Sequence, residues 1–269
     1  MKNVFDMLRL DGRTAIVTGV SRAGLGWDFA GALAEAGANI VITSRYADKA
    51  EAEAAAFQEQ YPDIKVMAAV LEATEYASCE AMAKKVKDAF GSIDILVNNA
   101  GGGGTPFEGN FWERDAQDFT AIINANLIGL LNVTRAVTPY MVEQGGGKVI
   151  NIGSIAGMVG RDRQLYHESG LKEQSIGYAA AKGGVISATR DLACSLAPKN
   201  ICVNSISPGG FFRNQIEAFV EGYSAITPLR RMGTIGEDLK GAVLLLASDA
   251  GNYITGHNLL VDGGFSVSK

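Results

Sequence analysis

Short runs of β-branched and aliphatic residues alternate with longer alanine-rich segments along almost the whole chain. This alternation is typical of a parallel sheet buried on both faces, because each strand must be followed by a helix that crosses back over the sheet. The predicted strands span residues 14–18, 39–43, 65–69, 93–98, 148–152, 201–206 and 258–261. The predicted helices span residues 26–36, 47–61, 78–90, 115–144, 175–196 and 237–248. The sequence therefore predicts an α/β fold, a doubly wound parallel sheet of about seven strands with helices on both faces.

No linker, repeat or low-complexity tract interrupts this alternation, so we expect residues 1–269 to form a single domain. Hydrophobic residues make up 47% of the chain, which is enough to bury a core of that size. Two stretches, 153–177 and 208–236, show neither pattern. Long irregular segments in compact domains are usually lids or binding loops, and we expect a substrate lid at 210–236.

The charge and the cysteine content argue against several classes of protein. The 24 basic and 29 acidic residues give a net charge of −5, and no Lys/Arg-rich stretch is present, which argues against a nucleic-acid partner. Cys79, Cys194 and Cys202 form no CxxC pair and have no histidine at metal-ligand spacing, so we expect neither disulfides nor a metal site. The first residues lack the apolar core of a signal peptide, and no apolar run approaches the ~18 residues of a membrane span. We therefore expect a cytoplasmic protein without a membrane partner.

Glycines are concentrated between the first predicted strand and the first predicted helix, in the segment TGVSRAGLG at residues 18–26. Such a turn lets backbone amides and a helix N-terminus receive a phosphate. Gly19 would turn the chain out of the strand, while Gly24 and Gly26 would let a pyrophosphate and the helix approach closely. The position favours a Rossmann-type dinucleotide site over the alternative, a glycine-rich turn without a ligand.

The end of the second strand distinguishes between the two nicotinamide cofactors. An acidic residue there binds the ribose 2′-hydroxyl of NAD, whereas arginine accommodates the 2′-phosphate of NADP. This chain has Ser44 and Arg45 at that end, and Arg22 lies within the glycine turn. The pattern favours NADP(H), with NAD(H) as the alternative. If both arginines are only solvated surface charges, it indicates no preference.

A series of motifs in chain order resembles that of the short-chain dehydrogenases/reductases, and the likeness extends from Leu10 to Phe265. The motifs are the glycine turn, NNAG at 98–101, NLIG at 126–129, Ser154, YAAAK at 178–182 and PG at 208–209. YxxxK alone would be a weak signal, but the order of the whole set makes it specific. The segments VFDMLRLDGRTAIVTG and LLVDGGFSVSK are similar to those of gluconate 5-dehydrogenase-like and related sugar or polyol members.

Reduction of a ketone requires a hydride on carbon and a proton on oxygen, and a phenol of pKa ~10 is a reluctant proton donor and acceptor at neutral pH. Tyr178 and Lys182 stand at i and i+4 of a predicted helix, so they share a face, and a cation beside the phenol would lower its pKa. The resemblance implies that Tyr178 is the general acid/base and that Lys182 also binds the nicotinamide ribose. It implies that Ser154 donates a hydrogen bond to the substrate oxygen. It assigns Asn126 to a local bend of the long helix, where it would hold a water that relays protons to Lys182.

The same resemblance implies a set of cofactor-binding residues, drawn mainly from the glycine turn, the strand ends and the turn after the sixth strand. Its members are Gly19, Ser21, Arg22, Gly24, Leu25, Gly26, Ser44, Arg45, Glu72, Asn99, Ala100, Gly101, Tyr178, Lys182, Pro208, Gly209 and Phe211. Two of the matches depart from the family pattern. Glu72 stands where an aspartate usually meets the adenine, and Ala23 is an apparent insertion in the glycine turn.

The largest departure lies between Ser154 and Tyr178, which are 24 residues apart, twice the separation usual in the family. Residues 161–176 form the apparent insertion. Because its ends are anchored close to the catalytic residues, we expect it to cover the active site, with its polar groups against a hydroxylated or acidic substrate. A solvated surface flap is the alternative. Tyr166 has Gly170 rather than lysine four residues later, so we reject it as the catalytic phenol.

Three functions are consistent with these residues. The leading hypothesis is an NADP(H)-dependent enzyme that interconverts a secondary alcohol and a ketone on a small polar substrate, such as a sugar, sugar acid or polyol. A 3-oxoacyl-acyl-carrier-protein reductase is the enzymatic alternative, and it calls for a basic docking patch. The candidates for that patch are the scattered Arg114, Arg135, Arg230 and Arg231. A non-catalytic dinucleotide sensor is the third hypothesis, and it would not need the Ser–Tyr–Lys trio. The C-terminal VDGG resembles that of family members that assemble as homotetramers.

Overall fold

The computed structural model describes residues 3–22, 24–102, 111–172 and 174–268. Within these residues, seven strands form one parallel sheet in the order β3-β2-β1-β4-β5-β6-β7. The strands are β1 Thr14–Val17, β2 Asn39–Ser44, β3 Val66–Val70, β4 Ile95–Asn98, β5 Gly147–Ile152, β6 Ile201–Pro208 and β7 Asn258–Val261. The predicted doubly wound sheet is confirmed, and every predicted strand overlaps an observed one.

The helices in the described ranges cover both faces of this sheet. They are α1 Val4–Leu8, α2 Leu25–Glu35, α3 Ala47–Gln60, α4 Tyr76–Phe90, α5 Ala116–Ile123, α6 Gly129–Glu143, α7 Arg163–Glu168, α8 Ile176–Leu196, α9 Glu217–Ile226 and α10 Lys240–Ala247. Residues of α2, α3 and α10 pack on one face, whereas residues of α4, α6 and α8 pack on the other.

Strand β2 shows how the alternation of side chains divides the core. Ile40 and Ile42 pack with Phe57 on one face, and Val41 packs with Met82 on the other. All five side chains are buried. Because each such side chain contributes roughly 1.5–3 kcal/mol on burial and both faces are covered, the strands are nearly continuous apolar runs.

The strand order reverses at β1, which pairs with β2 on one side and with β4 on the other. At such a reversal the loops leaving neighbouring strands diverge and open a crevice at their carboxyl ends. Thr18, directly after β1, accepts hydrogen bonds at its Oγ1 from the N–H groups of Asn99 and Ala100, both at 2.9 Å. The Asn99 side chain donates to Thr18 O at 2.9 Å and to Gly19 O at 3.0 Å. The glycine turn and the NNAG turn therefore form one connected edge of the crevice.

The long helix predicted at 115–144 is present, but it is not α-helical throughout. A π-helical turn, Asn124–Ile128, separates α5 from α6. By length and composition, Ala116–Glu143 would suffice to cross a membrane, since its mean hydropathy reaches 1.2. In this fold it packs against α4, α8 and the sheet, as the core helix of a globular domain does.

Each of the two stretches without a predicted pattern contains a short helix. The insertion carries α7, which begins after Asp162. The Asp162 Oδ1 caps this helix by accepting the N–H groups of Gln164 at 2.9 Å and Leu165 at 3.4 Å. The lid segment carries α9. Helix α7 was not predicted because its six residues are too few to show an apolar period. Helix α9 was not predicted because it packs against α7 rather than against the sheet.

The last helix is shorter than predicted, since residues 237–248 were expected to be helical and α10 begins only at Lys240. Asp238 is used in a turn instead. Its carboxylate accepts the N–H of Thr234 at 2.7 Å and forms an ion pair with Arg231 at 2.5 Å.

Candidate active site

A cleft of about 810 Å³ opens at the carboxyl edge of the sheet. The glycine turn and the NNAG turn line one part of it, the catalytic candidates line another, and the insertion and the lid segment complete it. Of the predicted cofactor residues, those that line the cleft are Gly19, Ser21, Gly24, Leu25, Asn99, Gly101, Tyr178, Lys182, Pro208, Gly209 and Phe211. The fold thus joins most of the predicted cofactor residues to the predicted catalytic ones.

Ser154, Tyr178 and Lys182 converge in this cleft. Ser154 follows β5, while Tyr178 and Lys182 lie on consecutive turns of α8. The Tyr178 phenol and the Ser154 hydroxyl are close enough to interact. The Lys182 Nζ lies 5.7 Å from the centroid of the Tyr178 ring and donates to Ile152 O at 2.6 Å. The i, i+4 spacing therefore places both side chains at one site.

Burial is the largest influence on the pKa values of Tyr178 and Lys182. It raises the pKa of Tyr178 above its ordinary value of 10, although the interaction with Ser154 and the positive charges of Arg161 and Arg213 act in the opposite direction. Burial also lowers the pKa of Lys182 to about 8. The net direction for Tyr178 is opposite to the lowering predicted from Lys182, whose ammonium donates to a backbone carbonyl.

Asn126 lies in the π-helical turn, which is the kind of local departure predicted for it. Its side chain is buried. The Nδ2 donates to Gly102 O at 2.8 Å and to Ile122 O at 2.9 Å, and the Oδ1 accepts the Gly102 N–H at 3.0 Å. Both amide hydrogens are thereby used, so a relay water leading to Lys182 would bind only at carbonyl oxygens of Asn126. The relay stays a prediction.

Glycine at positions 19 and 26 lets the glycine turn pack closely against the NNAG turn. Gly19 has a φ of +65°, and a Cβ there would lie 2.8 Å from the Ala100 Cα. At Gly26 a Cβ would lie 2.6 Å from the side-chain nitrogen of Asn99. Helix α2 begins without a side-chain cap, and its first N–H groups are where the predicted pyrophosphate would bind. The predicted insertion at Ala23 lies outside the described residues.

The end of β2 carries no carboxylate, but Glu53 of α3 pairs with Arg22 of the glycine turn. The Ser44 Oγ accepts the Tyr46 N–H at 3.3 Å, and the Arg45 guanidinium is exposed, 5.7 Å from the Tyr46 ring. The Arg22 Nε lies 3.6 Å from the Glu53 Oε2, an ion pair that the sequence did not predict. Arg22 is therefore held by α3, while Arg45 has no ion-pair partner among the described residues.

Glu72, the candidate for the adenine, folds back onto its own turn. Its Oε1 accepts from the Thr74 N–H at 3.2 Å and from the Thr74 hydroxyl at 2.7 Å. Its backbone N–H donates to the Ser78 Oγ at 3.0 Å. Within the described ranges, no residue from the ends of β2 or β3 lines the cleft. The cofactor roles of Glu72, Ser44 and Arg45 therefore stay predictions.

The turn after β6 is fixed by the lid. Pro208, Gly209 and Phe211 line the cleft, and Phe211 is buried. The backbone N–H of Gly210 donates to the hydroxyl of Tyr223, on α9, at 2.6 Å. A change in the position of α9 would therefore move the turn that is predicted to meet the nicotinamide.

The insertion and the lid pack together as one wall of the cleft. The rings of Tyr166 and Phe219 meet edge-on with centroids 5.1 Å apart, and Tyr223 stacks on Phe265 at 4.8 Å. These residues and Met232 belong to one small apolar cluster. Phe219 and Tyr223 of the predicted lid were not predicted to line the site, although their i, i+4 spacing is a helical signal that could have found them. Residue 173 of the insertion lies outside the described residues.

Residues 19–266 match a family model described as Enoyl-(Acyl carrier protein) reductase. Together with the relatives described next, this match shows that the chain belongs to the short-chain dehydrogenase/reductase family. It is an NAD(P)(H)-dependent dehydrogenase/reductase that acts on CH–OH and ketone groups. The family predicted from the motifs is confirmed.

Three relatives are similar to the chain along its whole length. The chain is 34% identical over 269 residues to 5-keto-D-gluconate 5-reductase of Escherichia coli K12. The aligned region covers 98% of this chain and 99% of that protein. It is 33% identical over 267 residues to a 3-oxoacyl-acyl-carrier-protein reductase of Thermotoga maritima, covering 97% and 100%. A solved gluconate 5-dehydrogenase from Burkholderia cenocepacia J2315, in complex with NADP and tartrate, has a TM-score of 0.87 at 34% identity, covering 99% of this chain and 100% of that one.

Proposed function

We propose that the protein is an NADP(H)-dependent oxidoreductase that interconverts a secondary alcohol and a ketone on a small polar substrate, such as a sugar, sugar acid or polyol. The main support is the meeting of Ser154, Tyr178 and Lys182 in the cleft that begins at the glycine turn. A non-catalytic sensor of the dinucleotide would have no chemical need for that trio.

In this proposal the side chains hold the substrate oxygen and move its proton. During reduction, Tyr178 gives its phenolic proton to the carbonyl oxygen, and Ser154 donates a hydrogen bond to the same oxygen, where negative charge develops. During oxidation, the phenolate takes that proton back. The nicotinamide, when bound, supplies or accepts the hydride at the neighbouring carbon. Because burial raises the pKa of Tyr178, the phenol is protonated at neutral pH, which suits the reductive direction.

NADP(H) is the proposed cofactor, and NAD(H) is the alternative. The glycine turn and the N-terminus of α2 would hold the pyrophosphate, and Arg45 would meet the 2′-phosphate. Arg22 would join it once released from Glu53. The lack of a carboxylate at the end of β2 supports this choice, as does the NADP in the Burkholderia cenocepacia relative.

The enzymatic alternative, a 3-oxoacyl-acyl-carrier-protein reductase, is supported by the similarity to the Thermotoga maritima enzyme. Its basic docking patch is the weak point. Arg114 has only 6% of its side chain exposed and pairs with Asp118, while Arg231 pairs with Asp238. The Arg135 guanidinium lies 4.2 Å above the Tyr76 ring. The fourth candidate, Arg230, donates to Ala225 O. All four arginines therefore make contacts within the fold, which favours the small polar substrate.

The test is the oxidation of NADPH, and separately of NADH, with a panel of sugars, sugar acids, simple ketones and 3-oxoacyl thioesters. We expect turnover with a small polar ketone and a preference for NADPH. Turnover confined to 3-oxoacyl thioesters would support the alternative. Cofactor binding without oxidation in any mixture would support the sensor.

We also propose that the protein is a cytoplasmic homotetramer. Large apolar side chains are exposed just before α5 and at the start of α8, which supports self-association: Phe111 is 59% exposed, Trp112 77% and Ile176 48%. Light scattering at micromolar concentration should give a mass above that of one chain. A monomer under these conditions would contradict the assembly.

A further inference from the structure

The insertion brings a positive charge to the start of the catalytic helix. The Arg161 guanidinium donates to the Gln174 side chain at 2.5 Å, to Gln174 O at 3.3 Å and to Ser175 O at 3.1 Å. Ser175 is the N-cap of α8, so this guanidinium lies beside the helical turn that carries Tyr178. The Tyr166 phenol also lies near this guanidinium, and all of these groups are neutral.

A cation in this position is electrostatically unfavourable without an anion. The N-terminus of a helix already carries partial positive charge, and Arg163 adds a second like charge. In the described ranges, no carboxylate forms an ion pair with Arg161. A half-buried charge without a counter-ion costs folding free energy, and an anionic ligand would offset that cost.

The predicted lid contributes a second cation, Arg213, which is exposed rather than half-buried. Arg213 lines the cleft, and its positive charge, like that of Arg161, acts on Tyr178. Its backbone N–H is held by the Gln215 Oε1 at 2.5 Å, and Gln215 in turn donates to Phe211 O at 2.9 Å. The part of the chain that the structure describes offers the Arg213 guanidinium no ion-pair partner. The backbone at Arg213 is thus fixed, and its exposed guanidinium interacts electrostatically with the Asp28 carboxylate without forming an ion pair.

Among the described residues, the cleft lining carries more cationic than anionic side chains, although the whole chain has a net charge of −5. Its cationic lining residues are Arg161, Lys172, Lys182 and Arg213, and Asp162 is the single carboxylate among the described lining residues. The Asp162 Oδ1 is occupied as the cap of α7. The excess positive charge therefore favours a ligand that carries negative charge.

We propose that Arg161 and Arg213 form an anion subsite beside Tyr178, and that the substrate is a keto acid or hydroxy acid. Its carboxylate would meet the two guanidinium groups while its carbonyl oxygen meets Ser154 and Tyr178. This inference rests on the proposed function and narrows the substrate from small polar molecules to acids. A phosphate ester presents the same anionic chemistry, and the experiments below separate the two.

The first experiment measures binding, so that it does not depend on turnover. Calorimetry compares tartrate with threitol, the same carbon chain with its carboxylates replaced by hydroxymethyl groups, on the complex of the protein with NADP. We expect tartrate to bind at least roughly tenfold more tightly, and Arg161→Gln and Arg213→Gln each to remove most of that preference. Arg163→Gln is the matched control, because Arg163 also donates to Gln174 O, at 3.1 Å, but does not line the cleft. Equal binding of the two ligands, or an equal loss in the control, would overturn the subsite.

The second experiment compares NADPH oxidation with charged and neutral ketones of matched shape. The pairs are a 3-keto acid with its methyl ester, and dihydroxyacetone phosphate with dihydroxyacetone. Both variants should lower kcat/KM for the acid by roughly 10- to 100-fold and for the ester by less than about threefold. A phosphate preference that exceeds the acid preference would assign the subsite to phosphate esters.

The outcomes distinguish the subsite from the proposed function. Turnover of acid and ester at equal rates leaves the oxidoreductase standing and overturns the subsite. No turnover of any ketone rejects the oxidoreductase, and the tartrate titration still decides whether the cleft selects an anion. Weaker NADPH binding by Arg213→Gln, with the acid preference intact, would assign Arg213 to the cofactor and overturn the pairing with Arg161.

Discussion

The cofactor end and the substrate end of the cleft are held together by different interactions. At the cofactor end, hydrogen bonds between Thr18 and Asn99 join the two turns. At the substrate end, aromatic rings meet instead, as Tyr166 does with Phe219. Hydrogen bonds demand narrow geometry, whereas apolar contacts tolerate repacking when volume is kept. The fixed half suits a nicotinamide dinucleotide, whereas the adaptable half suits substrates as different as the ketogluconate and 3-oxoacyl groups in the names of the relatives.

A buried chain of polar side chains extends the fixed half beneath the catalytic residues. The Asn98 Nδ2 donates to the Thr134 Oγ1 and to the Asn151 Oδ1, both at 2.9 Å, and the Asn151 Nδ2 donates to the Thr189 Oγ1 at 3.0 Å. These residues join β4, α6, β5 and α8. Because buried polar groups are costly when unpaired, the chain fixes how α8 sits on the sheet.

The largest effect should come from Tyr178→Phe, at the junction of the two halves. Loss of the phenolic proton should reduce kcat by roughly 10²- to 10⁴-fold. Fluorescence titration should give an almost unchanged NADPH Kd, because the ring is kept. Near-normal turnover in this variant would refute the acid/base role.

The next largest effect should come from the fixed half, in Arg45→Ala. If Arg45 pairs with the 2′-phosphate, NADPH binding should weaken by about 1.5–3 kcal/mol, as for a hydrogen bond to a charged group. The Kd of NADH serves as the internal control and should barely change. A wild-type protein that binds NADH more tightly than NADPH would end this assignment.

The adaptable half is tested by replacing residues 161–176 with a short glycine-serine link. The KM of the preferred substrate should rise several-fold more than that of a minimal ketone, with NADPH affinity little changed, because the segment packs against the predicted lid. Tyr166→Phe is the milder control, since it keeps the ring that packs on Phe219. If both ketones are affected equally, the segment serves folding or assembly instead.

The smallest effect concerns stability and pH. Burial lowers the folded-state pKa of Lys182 to about 8 from 10.5, so the folded state binds fewer protons than the unfolded state between these values. The contribution of Lys182 is most unfavourable below pH 8 and improves as the pH rises toward 10.5. Lys182→Met should therefore raise the melting temperature at neutral pH, and its advantage should shrink in alkali. An advantage that does not vary with pH would mean that desolvation of the charge is not its cause.

The features that could be predicted from sequence are the local ones. The strands could be predicted because burial on both faces leaves apolar runs. The glycine turn could be predicted because only glycine lets the backbone come so close to a neighbouring segment. The catalytic pair could be placed because Tyr178 and Lys182 share one helix. Each of these signals lies within a few consecutive residues.

The features that sequence reasoning missed depend on contacts between distant segments. Helices α7 and α9 pack on each other, so neither carries the pattern of a helix that covers the sheet. The Arg22–Glu53 ion pair and the position of Arg213 in the cleft require the folded chain. The direction of the Tyr178 pKa depends on burial, which a motif does not report.

The bond between Thr18 and Asn99 also has a consequence for how the protein folds. It joins residues 81 positions apart, and β2, α3, β3 and α4 all lie between them. Contacts of such long sequence separation carry a large loop-closure cost and slow folding. A nascent chain synthesised only as far as the glycine turn contains that motif but lacks the NNAG turn that it packs against. We therefore expect the dinucleotide to bind only after the centre of the sheet has assembled, and then to stabilise the native state by mass action.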